Sequence, residues 1–158
     1  METASLYLRE SYIALFANFF YNAIKIPFFD EYVSPNVVIP TIPLSTFLQP
    51  KCYVLITNQT TNDASLKCSR NEILSLQLDI VTVYDANSGG FKLAEQVANK
   101  ILNTLFIGQQ IQLQNSKLNT WSGFLESSPN ISEETASSRI FRKILVLNHQ
   151  IQVRELTT

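Results

Sequence analysis

The apolar pattern of the chain predicts an α+β fold: a mostly antiparallel sheet with an N-terminal helix and a central helix packed on it. Three observations carry this. Between residues 72 and 85, Leu74, Leu76, Leu78 and Ile80 alternate with Ser75, Gln77 and Asp79, the two-residue period of a half-buried strand. Between residues 91 and 106, Ala94, Val97, Ala98, Ile101, Leu102 and Leu105 form one helical stripe, with Lys92, Glu95, Gln96, Asn99 and Lys100 on the remaining surface. Near the C-terminus Leu145, Leu147, Ile151 and Val153 share one strand phase. A first helix, then strands, a helix and more strands is the order of an α+β domain.

At 158 residues the chain has the length of one domain, so residues 1–158 are expected to form a single unit with an extended proline-rich arm at about 26–50. The first helix is expected from Ala4 to Ile24. Leu6, Ile13, Phe16, Phe20 and Ile24 follow helical spacing, while Leu8, Leu15 and Phe19 carry apolar surface onto other faces. Such a helix is buried on more than one side, either within its own domain or against a neighbouring subunit. The arm holds Pro27, Pro35, Pro40, Pro43 and Pro50, five of the six prolines. Proline fixes φ and lacks a donor, so this stretch reads as extended chain with a short edge strand near Phe28 to Val33. Its apolar residues, Val37, Val38, Ile39, Ile42, Leu44, Phe47 and Leu48, need cover from the chain's own sheet or from an adjacent subunit.

Residues 52–56 read as a compact strand, and Thr57 to Lys67, rich in Thr and Asn, as a turn or exposed loop. Along the strand from Glu72 to Asp85 the phase slips, because Val81 and Val83 fall on the polar side. Either a bulge sits near Ile80–Val81 or both faces are covered there. Asn87 or Ser88 is placed to cap the helix from Phe91 to Phe106. Residues 109–128 read as one or two strands around Ile111, Leu113, Trp121 and Phe124. Ser127 to Ser138 reads as a polar loop with Pro129, and Arg139 to Arg154 as the last strand.

Composition removes several functions. Charged residues are 16% against a hydrophobic share of 46%, and the net charge is -1 with a pI of about 5.8, so the basic footprint of a nucleic-acid binder is missing. No apolar run reaches the roughly 20 residues of a membrane span, since Asn18, Asn22 and Lys25 interrupt the best candidate. The segment Met1 to Ser5 lacks a basic n-region, so synthesis in the cytosol is expected, with Cys52 and Cys68 as free thiols.

No catalytic, cofactor or metal residues are expected. His149 is the single histidine and falls on the apolar side of the last strand, where packing suits it better than catalysis. One His and two Cys do not assemble a closed zinc site within one chain. Gly89-Gly90 lacks the further glycines of a phosphate-binding loop. Asp30/Glu31 and Glu133/Glu134 are neighbours in sequence and read as solvated charge rather than a convergent acid–base pair. Arg139, Arg142, Lys143 and Arg154 read as a cationic edge that discourages strand addition. The aromatic group Phe16, Phe19, Phe20, Tyr21, Phe28, Phe29 and Tyr32 reads as core or subunit interface.

The order of elements resembles a phage family. An extended segment ends in Pro50-Lys-Cys-Tyr-Val-Leu-Ile, and a polar hairpin loop leads to Leu76-Gln-Leu-Asp-Ile-Val-Thr-Val-Tyr. The helix Gly90-Phe-Lys-Leu-Ala-Glu-Gln-Val-Ala-Asn-Lys-Ile-Leu and the strand Phe141-Arg-Lys-Ile-Leu-Val-Leu follow. The chain is similar to the tail-terminator (tail-completion) and neck-ring proteins of tailed bacteriophages, best over residues 74–105. Its Asn/Thr-rich composition looks like that of a phage of an AT-rich host, such as a crAss-like phage.

That resemblance implies a non-enzymatic virion component made in the host bacterial cytoplasm. It would form a homo-oligomeric ring that ends the tail tube or joins it to the portal. Other neck, portal or tail proteins would be its partners. DNA would pass the lumen unbound, and no membrane would be involved. Leu8, Leu15, Phe19, Pro40, Pro43 and Phe47 are the expected subunit contacts, because a closed ring needs two different uncharged patches. Thr57, Asn58, Thr60, Thr61, Asn62 and Asp63 are the expected loop against a neighbouring ring. A stand-alone ligand-binding domain, or a cytosolic enzyme with an unrecognised site, is the rival reading.

Overall fold

The computed structural model describes residues 4–63, 71–107, 110–111 and 118–153. Helix α1 spans Ala4–Leu15 and is followed by three short strands, β1 (Phe20–Tyr21), β2 (Ile24–Lys25) and β3 (Phe28–Asp30). Two long strands, β4 (Lys51–Asp63) and β5 (Asn71–Asp85), precede helix α2 (Lys92–Leu105). The remainder is β6 (Phe106–Ile107), β7 (Gln110–Ile111), β8 (Leu118–Ser127), β9 (Asn130–Glu134) and β10 (Ser138–Val153). The main sheet has the order β3-β4-β5-β10-β8, with β9 also on β10. All its pairings are antiparallel except β3 on β4, so the α+β architecture with a mostly antiparallel sheet is the one observed.

One face of this sheet makes the core. Cys52, Val54 and Ile56 of β4, Leu74, Leu76, Leu78 and Ile80 of β5, and Leu145, Leu147 and Ile151 of β10 are all buried on it. Both helices cover that face, α1 with Leu8 and Tyr12 and α2 with Leu93, Ala94, Val97, Ala98, Ile101 and Leu105. Beyond α1, Phe16 and Phe19 join the core, and the Phe16 ring stacks on Phe28 at 4.5 Å. The register of β5 with β10 is unbroken, and the bulge lies instead in β4 between Thr57 and Gln59. Val81 is therefore buried because both faces are covered at that point. Its registered neighbours, Tyr53 and Arg142, flank it on the face without helices.

The sequence expectation fails in four places. The first helix stops at Leu15 rather than Ile24, because residues 20–25 form a β-hairpin. Asn22 and Ala23, at φ 48° and 64°, both adopt the left-handed conformation that a two-residue hairpin turn requires. The expected loop from Thr57 continues β4 as far as Asp63, and the expected loop from Ser127 to Ser138 contains β9. Strands β8 and β9 run one after the other along the same edge of β10, interrupted at Ser128–Pro129. Pro129 has no N–H to give the ladder, but its carbonyl accepts from the Ile144 amide at 3.0 Å. Finally, neither Asn87 nor Ser88 caps α2. Asn87 turns at φ 68°, and the Ser88 hydroxyl donates to the Asp85 carbonyl at 2.9 Å.

The turn before α2 needs its glycine. Gly89 lies at φ 118°, and a Cβ there would meet the Phe141 ring at 2.5 Å and the Tyr84 ring at 2.8 Å. Glycine and alanine at the two turns thus have opposite effects. Ala23→Gly is expected to stabilise by about 0.5–1 kcal/mol by relieving left-handed strain. Gly89→Ala is expected to destabilise by about 2 kcal/mol or more through strain and overpacking. Urea unfolding midpoints of the two variants check both signs.

Candidate functional site

The arm between β3 and β4 is tied down at its root and open at its tip. Ile42 is buried, and its amide donates to the Pro50 carbonyl at 2.8 Å. Thr41 pairs with Lys51, and the Cys52 amide donates to the Pro40 carbonyl at 3.3 Å. The tip closes on itself, since the Leu44 and Ser45 amides both donate to the Leu48 carbonyl at 2.9 and 3.1 Å. The Leu48 amide in turn donates to the Ser45 hydroxyl at 3.1 Å. On this frame Phe47 is 95% exposed, and Val38, ahead of the root, is 90% exposed. Pro43 is exposed and Pro40 half-buried. Water-facing phenylalanine on a backbone fixed by its own hydrogen bonds is an apolar knob.

The helix residues expected at a subunit contact lie elsewhere. Leu8 and Phe19 are buried in the chain's own core, and Leu15 packs against it. Leu8 and Phe19 are thus core residues rather than contact surface, whereas Leu15 is half-buried at the core's margin. The apolar residues that α1 leaves exposed are Leu6 and Ile13, followed by Phe20 on β1. The phase is inverted because Tyr7, Ser11 and Tyr12, polar by their hydroxyls, sit on the buried side. Ser11 meets its need locally by donating to the Tyr7 carbonyl at 2.7 Å.

The expected inter-ring loop is a strand. Thr57 pairs with Gln77, Thr60 with Ser75, Thr61 with Leu74, Asn62 with Ile73 and Asp63 with Glu72, and Asn58 falls in the bulge. Thr60 and Thr61 are exposed. Strand β3 borders β4 only at residues 54–56, so the outer edge of β4 from Thr57 to Asp63 has no strand beside it among the described residues. Cys52 is buried with its thiol free, and burial pushes that thiol up to about 12. Cys68, Leu113, Arg154 and residues 64–67 lie outside the described residues.

Charged groups are more engaged than the sequence implied. Arg9 donates to the Asp30 carboxylate at 2.6 Å, to Glu31 at 3.0 Å and to the Ile56 carbonyl at 3.2 Å. The Asp30/Glu31 pair is thus not simply solvated; it fastens α1 to the sheet edge. The cationic edge is corrected likewise, because β10 is an interior strand between β5 and β8/β9. Arg142 lies 3.7 Å from Asp79 and 3.5 Å from Glu133, and Lys143 pairs with Glu95 at 3.0 Å. Burial raises the Asp79 carboxyl above its usual range, partly offset by Arg142 and reinforced by Glu133. Lysine and asparagine bonds from Lys143 and Asn130 lower that of Glu95.

His149 is fully buried under α1. Its Nδ1 lies 3.1 Å from the Leu74 carbonyl, and its Nε2 lies 2.7 Å from the Tyr12 hydroxyl. A carbonyl only accepts, so Nδ1 carries the hydrogen of the neutral ring and Nε2 accepts from Tyr12. Both ring nitrogens are satisfied without charge, and burial lowers the imidazole to about 4. This is a structural histidine that pins α1 to the sheet. No group of three or more His, Cys, Asp or Glu side chains placed to hold a metal occurs among the described residues.

No family model matches the chain, and no curated protein matches it. Among solved structures, it is similar to a chain from a structure titled "Virion of native gene transfer agent (GTA) particle", at 19% identity and a TM-score of 0.49. The match covers 78% of each chain.

The histidine sets a pH dependence. Between its folded value of about 4 and its ordinary value of 6.5, the unfolded chain binds the proton and the folded chain does not. Stability therefore rises with pH across that window and is lost as pH falls from 6.5 to 4. The full span is about 3 kcal/mol. The difference between wild type and His149→Gln in urea unfolding at pH 4.5 and pH 7 isolates this slope, which the variant should lack. Tyr12→Phe, which leaves Nε2 without its donor, is expected to cost about 1–3 kcal/mol at pH 7.

Proposed function

We propose that this protein is a non-enzymatic virion component that assembles as a ring in the neck or tail of a phage-like particle. There it would end the tail tube or join it to the portal, with 1–158 acting as one domain. The observation that carries this reading is the arm tip. Its backbone is hydrogen-bonded and its root is anchored by Ile42, yet it holds Phe47 out in water. Exposing such side chains on a rigid frame favours association, because burying a phenylalanine is worth about 1.5–3 kcal/mol.

A ring interface is heterologous, so a second and different patch must receive the first. We assign that patch to an apolar hollow of about 450 Å³ formed by Leu102, Phe106, Gly123, Phe124 and Leu125. Phe124 and Leu125 are both exposed there. The open edge of β4 from Thr57 to Asp63 provides a polar surface for a neighbouring ring or partner. Neighbouring tail, neck or portal proteins are the proposed partners, and the low net charge suits a lumen through which DNA moves without being held.

The resemblance in element order and the arm support the same role. A stand-alone monomeric domain would have no use for the knob. Phe47→Ser should shift the protein from oligomer to protomer in light scattering while leaving the unfolding midpoint within about 0.5 kcal/mol of wild type. A monomeric wild type at high concentration, together with its absence from purified particles by mass spectrometry, overturns the proposal.

A further inference from the structure

A cavity of about 410 Å³ lies between the arm tip, the β1–β2 hairpin and the start of α2. Leu44 and Leu48 of the arm line one side, and Tyr84, Gly89, Gly90, Lys92, Leu93 and Gln96 line the other. Its volume falls within the range of small-molecule sites. Three features give it a chemistry. First, α2 begins here without a side-chain cap, because its N-cap residue is Phe91, which has no polar side chain. The first helical hydrogen bond is from the Glu95 amide to the Phe91 carbonyl, so the earlier amides of the turn have no intrahelical acceptor. A helix start of this kind attracts negative charge.

Second, Tyr84 is only 4% exposed as a residue and lines the cavity, and its hydroxyl makes no hydrogen bond among the described residues yet is not a buried atom, so it is open to a partner from outside the fold. Third, the lining contains Lys92 and no acidic side chain. The Gln96 carbonyl oxygen accepts from the Tyr21 hydroxyl at 2.7 Å, which leaves the Gln96 amide group as a further donor. Donors thus gather at the helix end of the cavity. The arm side, at Leu44 and Leu48, is apolar, and the Leu93 side chain adds apolar surface.

We propose that this cavity binds a small organic acid, with its carboxylate at the start of α2 and the Tyr84 hydroxyl and its apolar body between Leu44, Leu48 and Leu93. Inorganic phosphate would meet the donors but leave the apolar half unfilled. The site is independent of ring assembly, and its failure leaves that reading intact.

Isothermal titration with 4-phenylbutyrate, with its uncharged amide and with inorganic phosphate provides the test. Saturable binding of the acid at millimolar concentration or below is expected, with the amide and phosphate much weaker. Tyr84→Phe, which removes one hydroxyl and no volume, should weaken the acid about five- to tenfold. Gln96→Glu keeps the acceptor for Tyr21 but adds a like charge, and should weaken it further. Equal binding of the amide, equal binding of phosphate, no binding of the acid, or undiminished binding by both variants overturns the proposal.

Discussion

Strand β5 has a long antiparallel partner on each side, and its register with β10 runs without interruption from Asn71 to Asp85. A slip of one residue would turn Leu74, Leu76, Leu78 and Ile80 away from the helices and bring Ser75, Gln77 and Asp79 into the core. That penalty holds the register, and the register holds much else. It places Cys52, Val54 and Ile56 beside the same apolar row, and it brings Leu145, Leu147 and His149 into line on β10. Both helices can then cover one continuous face. The position of the arm follows in turn, since its root is hydrogen-bonded to the first residues of β4.

Polar contacts refine what burial sets up. Apolar packing alone would let α1 slide on the sheet, because dispersion and burial are weakly directional. The Tyr12–His149–Leu74 chain and the Arg9 contacts to Asp30, Glu31 and Ile56 fix its position at two points. On the opposite face, Arg142 lies between the buried Asp79 and the exposed Glu133. Among the described residues the Asp79 Oδ1 and Arg142 Nε atoms there have no hydrogen-bond partner, so the pair is less completely satisfied than the histidine network. A partly satisfied ion pair adds less to stability than a fully bonded one.

Two sets of surfaces are left over from the core, and they differ in chemistry. The arm tip and the hollow at Phe124 are apolar and uncharged, which suits protein contact. The cavity at the start of α2 combines donors with leucine side chains, which suits a small anion with an apolar body. They share the arm: Leu44 and Leu48 face the cavity, while Phe47, between them in sequence, faces water. Five residues of chain, Leu44 to Leu48, thus serve two surfaces within a turn closed by the hydrogen bonds to the Leu48 carbonyl.

The sequence by itself determined the long strands β5 and β10, helix α2 with its buried stripe, the edge strand within the arm, and the α+β class. These elements have strong periodicity, and their apolar side faces one core, so local pattern and tertiary burial agree. It also placed His149 on the apolar side of its strand. Only the tertiary structure decided where α1 ends, which of its faces is buried, and that Thr57 to Asp63 is a strand. Tyr12 and Ser11 are polar by type but buried by position, and their hydroxyls are satisfied by His149 and by the Tyr7 carbonyl. Thr60 and Thr61 read as loop by composition, yet β-branched residues pair readily once β5 offers a ladder. Such decisions rest on partners distant in sequence, and no local pattern of residues carries them.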